Sequence, residues 1–114
     1  MPLTNAAKNL MLDALGAVAG EASLHTADPG TTGANEVTGG TYDRQPITWN
    51  ASANGDLDNN ANPTFQVPGG VTVVYFGLWS ADGNVFYGSG ALSAPETFGG
   101  PGQYTLTDAD ITLT

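Results

Sequence analysis

The first twenty residues carry the periodic pattern of an amphipathic helix. Apolar side chains recur at spacings of three and four residues, at Leu3, Ala7, Leu10, Met11, Ala14, Leu15 and Val18. This spacing places them along one face of an α-helix. Thr4 is a suitable N-cap because its hydroxyl can accept a hydrogen bond from the first turn, and Gly20 is suited to end the helix. The pattern predicts a helix over residues 1–20.

The opposite face of this predicted helix is polar and carries Asn5, Lys8, Asn9 and Asp13. An amphipathic helix has to bury its apolar stripe against another surface. The stripe either closes one end of its own β-domain or docks on a neighbouring subunit, and the pattern leaves both alternatives open. In the second case, the expected contact residues are Leu10, Met11, Ala14 and Leu15.

The rest of the chain is typical of a turn-rich β-protein. Short apolar or alternating runs occur at 23–26, 41–50, 65–67, 71–80, 85–92, 104–106 and 111–113. The run 71–80 is apolar on both faces, which predicts a central strand covered on each side, and Pro46 indicates an edge or a bulge. About seven short antiparallel strands predict one β-sandwich or jelly-roll-like domain over residues 21–114. Together with the helix they form a single domain.

The charge balance restricts the possible partners. Two cationic residues, Lys8 and Arg44, stand against eleven acidic ones, for a formal net charge of −9. Nucleic-acid binding requires clustered Lys and Arg, so we expect no nucleic-acid partner and, for the same reason, no anionic membrane partner. The chain has no cysteine and one histidine, which excludes the usual structural zinc sites. We expect no metal and no cofactor, and synthesis in a cytoplasm because no targeting segment is visible.

One polar loop is a weak candidate for calcium. Asp56, Asp58 and Asn60 alternate along the chain and could present three oxygen ligands on one side of a loop. The full calcium-loop pattern fails, since Ala61 stands where a glycine is required and Val67 where a bidentate glutamate is required. We favour the alternative in which these side chains bind backbone groups within a hairpin loop.

The evidence for catalysis in the sequence is weak. His25 lies near Asp28, but no serine sits in a nucleophile elbow, so we interpret His25 as a structural residue. Glu36 and Glu96 could form a glycosidase pair, although hydrolysis requires a fixed carboxyl separation that no sequence shows. The chain is therefore expected not to be an enzyme.

Aromatic residues offer a second functional hypothesis. Trp49, Tyr75, Trp79 and Tyr87 could form a platform on which sugar rings stack. The alternative is that they fill the core of a small β-domain. Because Trp79 lies on the predicted central strand, we expect it in the core.

Two stretches, 3–15 and 23–37, resemble a family of small virion proteins from tailed phages and prophages, notably those of actinobacterial hosts. The run Leu24-His25-Thr26-Ala27-Asp28-Pro29-Gly30 is the most specific part. The resemblance continues through Phe76-Gly77-Leu78-Trp79-Ser80, Phe86-Tyr87-Gly88, Glu96-Thr97-Phe98 and the segment 104–110, and thus spans nearly the whole chain. Similar runs occur in head-decoration proteins of short-tailed phages.

The resemblance implies a non-enzymatic virion structural protein, present in multiple copies, in a minor tail, a tail fibre or a capsid decoration. Its implied partners are further copies of itself and other virion proteins. It brings no catalytic residues to this chain. The alternative function is a receptor- or glycan-binding β-module for attachment to the host surface, and the ligand-binding residues of such a module remain unknown at this point.

Overall fold

The computed structural model describes residues 2–107 and 109–112, and it begins with the predicted helix. Helix α1 spans Asn5–Gly16, and the backbone N–H of Ala7 donates to Oγ1 of Thr4 at 3.2 Å, which confirms the predicted N-cap. The helix is shorter than the predicted 1–20 because the chain enters a strand at Ala19. Gly20 lies in that strand, where a Cβ atom would approach Cβ of Ala81 to 2.8 Å. This glycine therefore permits close strand packing and is not a helix terminator.

Eight strands follow within the described residues. They are β1 (Ala19–His25), β2 (Gln45–Pro46), β3 (Asp56–Leu57), β4 (Thr64–Val67), β5 (Val71–Ser80), β6 (Phe86–Phe98), β7 (Gly102–Thr105) and β8 (Ile111–Thr112). The predicted run 41–50 contributes only the two residues of β2 to a strand, whereas β1 and β6 are longer than predicted. Residues 113 and 114, and with them the end of the predicted last strand, lie outside the described part.

Four strands form an antiparallel sheet in the order β2-β1-β5-β6. Strand β5 is internal, as its two apolar faces predict, and β2 with Pro46 lies at the sheet edge, as predicted for proline. Strand β6 contains a bulge: Glu96 pairs with Val73 and Ala91 pairs with Tyr75, so residues 92–95 lie opposite a single residue. A bulge of this kind bends an edge strand.

Two antiparallel ribbons complete the fold, namely β3 with β8 and β4 with β7. Phe65 and Val67 of β4 pack in one apolar cluster with Leu24 of β1 and Val73 of β5. The sheet and the β4–β7 ribbon therefore share a core. The prediction of a mainly β chain with one N-terminal helix is confirmed. None of the helices among residues 2–107 and 109–112 has the length and apolar character required to cross a bilayer.

Candidate functional site

Helix α1 carries the two most exposed large apolar side chains among the residues that the structure describes. Leu10 is 74% exposed and Met11 is 50% exposed, and the neighbouring Ala14 is exposed as well. With 3.6 residues per turn, these three residues and Ala7 fall within an arc of about 100°. We call Ala7, Leu10, Met11 and Ala14 the outer face. A contiguous group of exposed apolar side chains on one helix face is a candidate interaction surface.

Helix α1 is attached to the β-domain through its other side. Leu12, which does not belong to the predicted stripe, is 1% exposed and is the buried residue of the helix. Asn9 and Asp13 hold the loop 52–55: Ser52 N–H donates to Oδ1 of Asp13 at 2.8 Å, and Gly55 N–H donates to Oδ1 of Asn9 at 3.0 Å. The hydrogen bonding of Ser52 to Asp13 lowers the pKa of this carboxyl group. The helix is thus attached to its own β-domain through Leu12, Asn9 and Asp13, while the outer face of its apolar stripe is not covered within one copy.

The four residues predicted to contact a subunit do not all share the outer face. Leu10, Met11 and Ala14 point outward, whereas Leu15 is half-buried. Leu15 lines a groove of about 310 Å³ together with Phe76, Leu78, Tyr87 and Ile111. The groove lies within one copy of the chain, so Leu15 contributes to packing there.

His25 belongs to a buried hydrogen-bonded chain. The ring Nδ1 lies 2.8 Å from the carbonyl oxygen of Ala34, which can only accept, so Nδ1 carries the proton. Nε2 of the neutral ring then accepts from the hydroxyl of Ser23 at 2.7 Å, and Nε1–H of Trp79 donates to Oγ of Ser23 at 2.8 Å. His25 and Ser23 are both 0% exposed. Burial lowers the pKa of His25, with the carbonyl of Ala34 and the charge of Glu36 opposing the shift.

This geometry bears on the hydrolase hypothesis. Ser23 and His25 form a hydrogen-bonded pair, but no substrate reaches either side chain in this conformation because both are fully buried. Asp28 does not approach His25; its Oδ1 accepts from the N–H of Gly30 at 2.8 Å, in the turn predicted from Asp-Pro-Gly. The structural interpretation of His25 agrees with these contacts. The alternation of strand side chains, which puts residues 23 and 25 on one face, could have indicated the pair.

Arg44 organises a polar cluster that the sequence did not indicate. Its guanidinium donates to both carboxylate oxygens of Glu36, at 2.9 to 3.3 Å, and to the carbonyl of Gly83 at 3.0 Å. It also stacks on the indole of Trp79, with Cζ 3.6 Å from the ring centroid. Tyr42 donates to Oε2 of Glu36 and accepts from the N–H of Leu24. The hydrogen bonds with Glu36 raise the pKa of Arg44, and burial raises the pKa of Tyr42.

The Arg44 cluster ties loop 36–44 to the hairpin that joins β5 to β6. Glu36 is half-buried and bound by Arg44 and Tyr42, whereas Glu96 is exposed on β6. The two carboxylates of the suggested glycosidase pair thus sit in different environments on different elements. The only signal for this cluster in the sequence is that the chain contains a single arginine.

The residues of the calcium candidate have separate partners. Oδ1 of Asp56 accepts from the hydroxyl of Thr112 at 2.7 Å, and Nδ2 of Asn60 donates to the carbonyl of Trp49 at 3.1 Å. Asp58 is exposed. Among residues 2–107 and 109–112, no group of three or more acidic or histidine side chains is arranged to hold a metal ion. The prediction that this loop binds no metal is left for a calcium titration to test.

The aromatic residues do not form one platform. Trp79 is buried at 9% exposure beneath Arg44, which confirms its predicted place in the core. Trp49 and Tyr75 are half-buried, and Nε1–H of Trp49 donates to the carbonyl of Ala19. Tyr87, at 40% exposure, is the one strongly exposed member of the set.

Helix α1 is anchored to its own β-domain but leaves its outer face exposed. This arrangement is typical of a protein that assembles with others into a larger structure. A family model described as Podophage GP4 fiber I protein gp80 matches residues 2–114. The chain belongs to this family of phage fibre proteins, and it is a structural component of the virion that is synthesised in the host. The resemblance to tailed-phage virion proteins is thereby confirmed. No curated protein and no solved structure matches the chain.

Proposed function

We propose that this protein is a non-enzymatic building block of a phage tail fibre, present in several copies per particle, and that the outer face of α1 attaches it to neighbouring subunits. The observation that carries the proposal is the exposure of Leu10 and Met11 on a helix whose opposite side is already bound to the β-domain. Covering an apolar face of this kind with another surface removes it from water and thereby lowers the free energy of the assembly. Within one copy, Leu12 is the helix residue that is buried against the β-domain, so the outer face on the other side of the helix stays uncovered.

The charge distribution supports assembly through this surface. Each copy carries a formal net charge of −9, so two copies repel each other wherever their acidic surfaces approach. The outer face contains no charged residue. Attachment through it avoids most of this repulsion, while the acidic remainder keeps the particle surface soluble.

The description of the family as a fibre protein favours the tail over capsid decoration as the place of this chain. The receptor- or glycan-binding alternative receives less support, because the two tryptophans are buried or half-buried and each is bound to a neighbouring group in its own chain. The absence of enzymatic activity is supported by the family and by the inaccessibility of Ser23 and His25.

The proposal can be tested in the phage that encodes the protein. The double substitution Leu10→Gln and Met11→Gln removes the apolar character of the outer face without touching the inner side of the helix. Val85→Gln is the matched control, since Val85 is 48% exposed in the segment between β5 and β6 and does not belong to α1. Purified particles are analysed by quantitative peptide mass spectrometry against a capsid protein.

We expect the double variant to be incorporated at least tenfold less than the wild type and Val85→Gln to be incorporated normally. Urea unfolding of the purified variants should show that both fold like the wild type, because both sites are exposed. Normal incorporation of the double variant would contradict attachment through α1. Absence of the wild-type chain from particles would contradict the virion role in this phage.

A further inference from the structure

The loop that holds helix α1 contains the single Asn-Gly sequence of the chain. Asn54 and Gly55 are the two central residues of a tight turn, with φ angles of 53° and 79°. Ala53 and Asp56 close this turn by two backbone hydrogen bonds of 2.9 and 3.0 Å. Positive φ at both central residues defines a type I′ turn, for which Asn-Gly is a preferred sequence. Asn54 is exposed to solvent, whereas Gly55 is buried.

An Asn-Gly pair can deamidate in water without an enzyme. The backbone nitrogen of Gly55 bonds to Cγ of Asn54, its proton passes to the side-chain nitrogen, and ammonia leaves, so that a cyclic succinimide forms. Water then opens the ring. Cleavage of the bond to Cγ leaves an ordinary aspartate at position 54, whereas cleavage of the bond to the main-chain carbonyl leaves an isoaspartate, whose backbone runs through Cγ. Glycine favours the attack because no side chain hinders its nitrogen.

In the folded protein, helix α1 restrains the nitrogen that would attack. The N–H of Gly55 donates to Oδ1 of Asn9 at 3.0 Å, and Ser52 is bound to the same helix through its N–H at 2.8 Å and its hydroxyl at 2.9 Å. Attack requires the nitrogen to lose its proton and turn toward Cγ of Asn54, and both changes break the bond to Asn9. The reactive geometry is therefore reached only when the loop and the helix separate.

Asn35 provides an internal comparison. Among the residues that the structure describes, it is the other non-glycine residue with a positive φ, at 64°. The next residue is Glu36, whose side chain hinders its own backbone nitrogen and is bound by Arg44. A positive φ alone therefore does not create a deamidation site, and the exposed asparagine with a following glycine occurs at Asn54.

We propose that Asn54 is a deamidation site that docked helix α1 protects, and that its conversion to isoaspartate irreversibly weakens the docking of the helix. Isoaspartate lengthens the backbone of the turn by one atom, so Ala53 and Asp56 can no longer close it in the same register. Either product also adds a carboxylate, which changes the formal net charge from −9 to −10. The new charge lies in the loop that Asp13 binds, and like charges repel. The site therefore distinguishes copies whose helix has stayed docked from copies whose helix has opened.

The protection is tested by measuring conversion at Asn54. Purified wild type, Asn9→Ala and two control variants are incubated at mildly alkaline pH, and peptide mass spectrometry with separation of isoaspartyl peptides follows the reaction. Asn5→Ala is the matched control for the substitution, because Asn5 is exposed at the start of α1. Ser23→Ala controls for global destabilisation, because it removes buried hydrogen bonds outside loop 52–55. The wild-type chain unfolded in urea gives the unprotected rate.

We expect Asn54 to convert roughly fivefold faster in Asn9→Ala than in the wild type, the factor that corresponds to one net hydrogen bond, and Asn5→Ala to convert at the wild-type rate. Equal acceleration in Ser23→Ala would mean that global folding alone protects the site, and would overturn the role of the helix. Absence of conversion even in the unfolded chain would overturn the site itself.

A second measurement on the wild type applies even where Asn9→Ala does not fold. Native-state hydrogen exchange gives the protection factor of the Gly55 N–H, which reports the opening of the loop. If the loop has to open before attack, folding slows conversion at Asn54 by the same factor. Conversion that is much faster than this opening allows would mean that attack occurs with the helix docked, and would overturn the proposal.

The consequence for the helix is measured on the isoaspartyl protein isolated after incubation. Its α1 amides should exchange hydrogen at least about tenfold faster than those of the unmodified fraction, because the loop no longer holds the helix. Asn54→Gly is the matched control, since glycine adopts a positive φ freely but forms no succinimide, and its helix should keep its protection through the same incubation. Unchanged exchange in α1 of the isoaspartyl protein would overturn the effect on docking.

Discussion

Replacement of Ser23 by alanine tests how much the buried hydrogen bonds among Trp79, Ser23 and His25 contribute to stability. The serine hydroxyl is the single link between Nε2 of His25 and Nε1–H of Trp79, and all three groups are buried. Alanine fits the same space but provides neither a donor nor an acceptor. The substitution therefore leaves one acceptor and one donor buried without their partner.

The expected cost follows from these two orphaned groups. A buried polar group that loses its partner costs about 1–3 kcal/mol, so the two groups orphaned by Ser23→Ala should lower the free energy of unfolding by about 2–6 kcal/mol. For a domain of this size, that lowers the Tm by roughly 10 °C or more. Urea unfolding followed by tryptophan fluorescence measures the free energy, and the emission of Trp79 reports on the site itself.

Ser89→Ala is the matched control, because Ser89 is exposed on β6 and its replacement should change the free energy of unfolding by less than about 0.5 kcal/mol. A similarly small effect of Ser23→Ala would refute the reasoning. It would mean that His25 and Trp79 are satisfied by other groups or by water in the folded protein.

Four further predictions test other parts of the structure. Because the pKa of His25 is lowered from 6.5, the unfolded chain protonates this histidine at a higher pH than the folded protein does. The contribution of neutral His25 to the free energy of unfolding is therefore fully present above pH 6.5 and should fall as the pH drops below that value. An unchanged free energy of unfolding between about pH 7 and 5 in urea titrations would contradict this. Leu12→Ala should cost about 2–5 kcal/mol and Leu10→Ala less than about 0.5 kcal/mol, and equal costs would mean that the helix is oriented differently. Arg44→Lys should cost about 1–2 kcal/mol, because lysine keeps the charge but loses the paired hydrogen bonds and the stacking; an unchanged urea midpoint would argue against the cluster. Calcium should leave the Tm unchanged in calorimetry, and a rise that Asp56→Asn removes would establish a site in that loop.

Local chemistry made part of the fold predictable. The helix start follows from the capping capacity of Thr4, and the turn at Asp28-Pro29-Gly30 follows from the side-chain hydrogen bond of Asp28 and the positive φ of Gly30. The central position of β5 follows from its two apolar faces. Each of these features depends on residues close in sequence.

The orientation of α1 was not predictable from its hydrophobic pattern. The pattern identifies the wider apolar stripe, and for a monomer that stripe is expected to face the core. Here a narrow inner contact, made by Leu12 and by hydrogen bonds from Asn9 and Asp13, holds the helix instead. Loop 52–55 supplies the partners of these polar residues from more than 35 positions away, and no local rule connects them.

The hydrogen bonds around Ser23 and around Arg44 could not be predicted from the sequence either. The contact between Ser23 and Trp79 joins residues that are 56 positions apart, and that between Arg44 and Gly83 joins residues that are 39 apart. The pairing of β1 with β5 creates both neighbourhoods. Strand β1 itself was underestimated because Gly20, Glu21 and Ala22 have weak β-propensity and form a strand only through this pairing.

The most direct test of the account is a cryo-EM reconstruction of the intact phage particle. The account predicts density for several copies of this chain in the tail, with Leu10 and Met11 of each copy buried against a neighbouring subunit and the acidic surface facing solvent. Copies that leave the outer face of α1 open to solvent throughout the particle would contradict the assembly role of the helix. Density for the chain only on the capsid would contradict the assignment to a tail fibre.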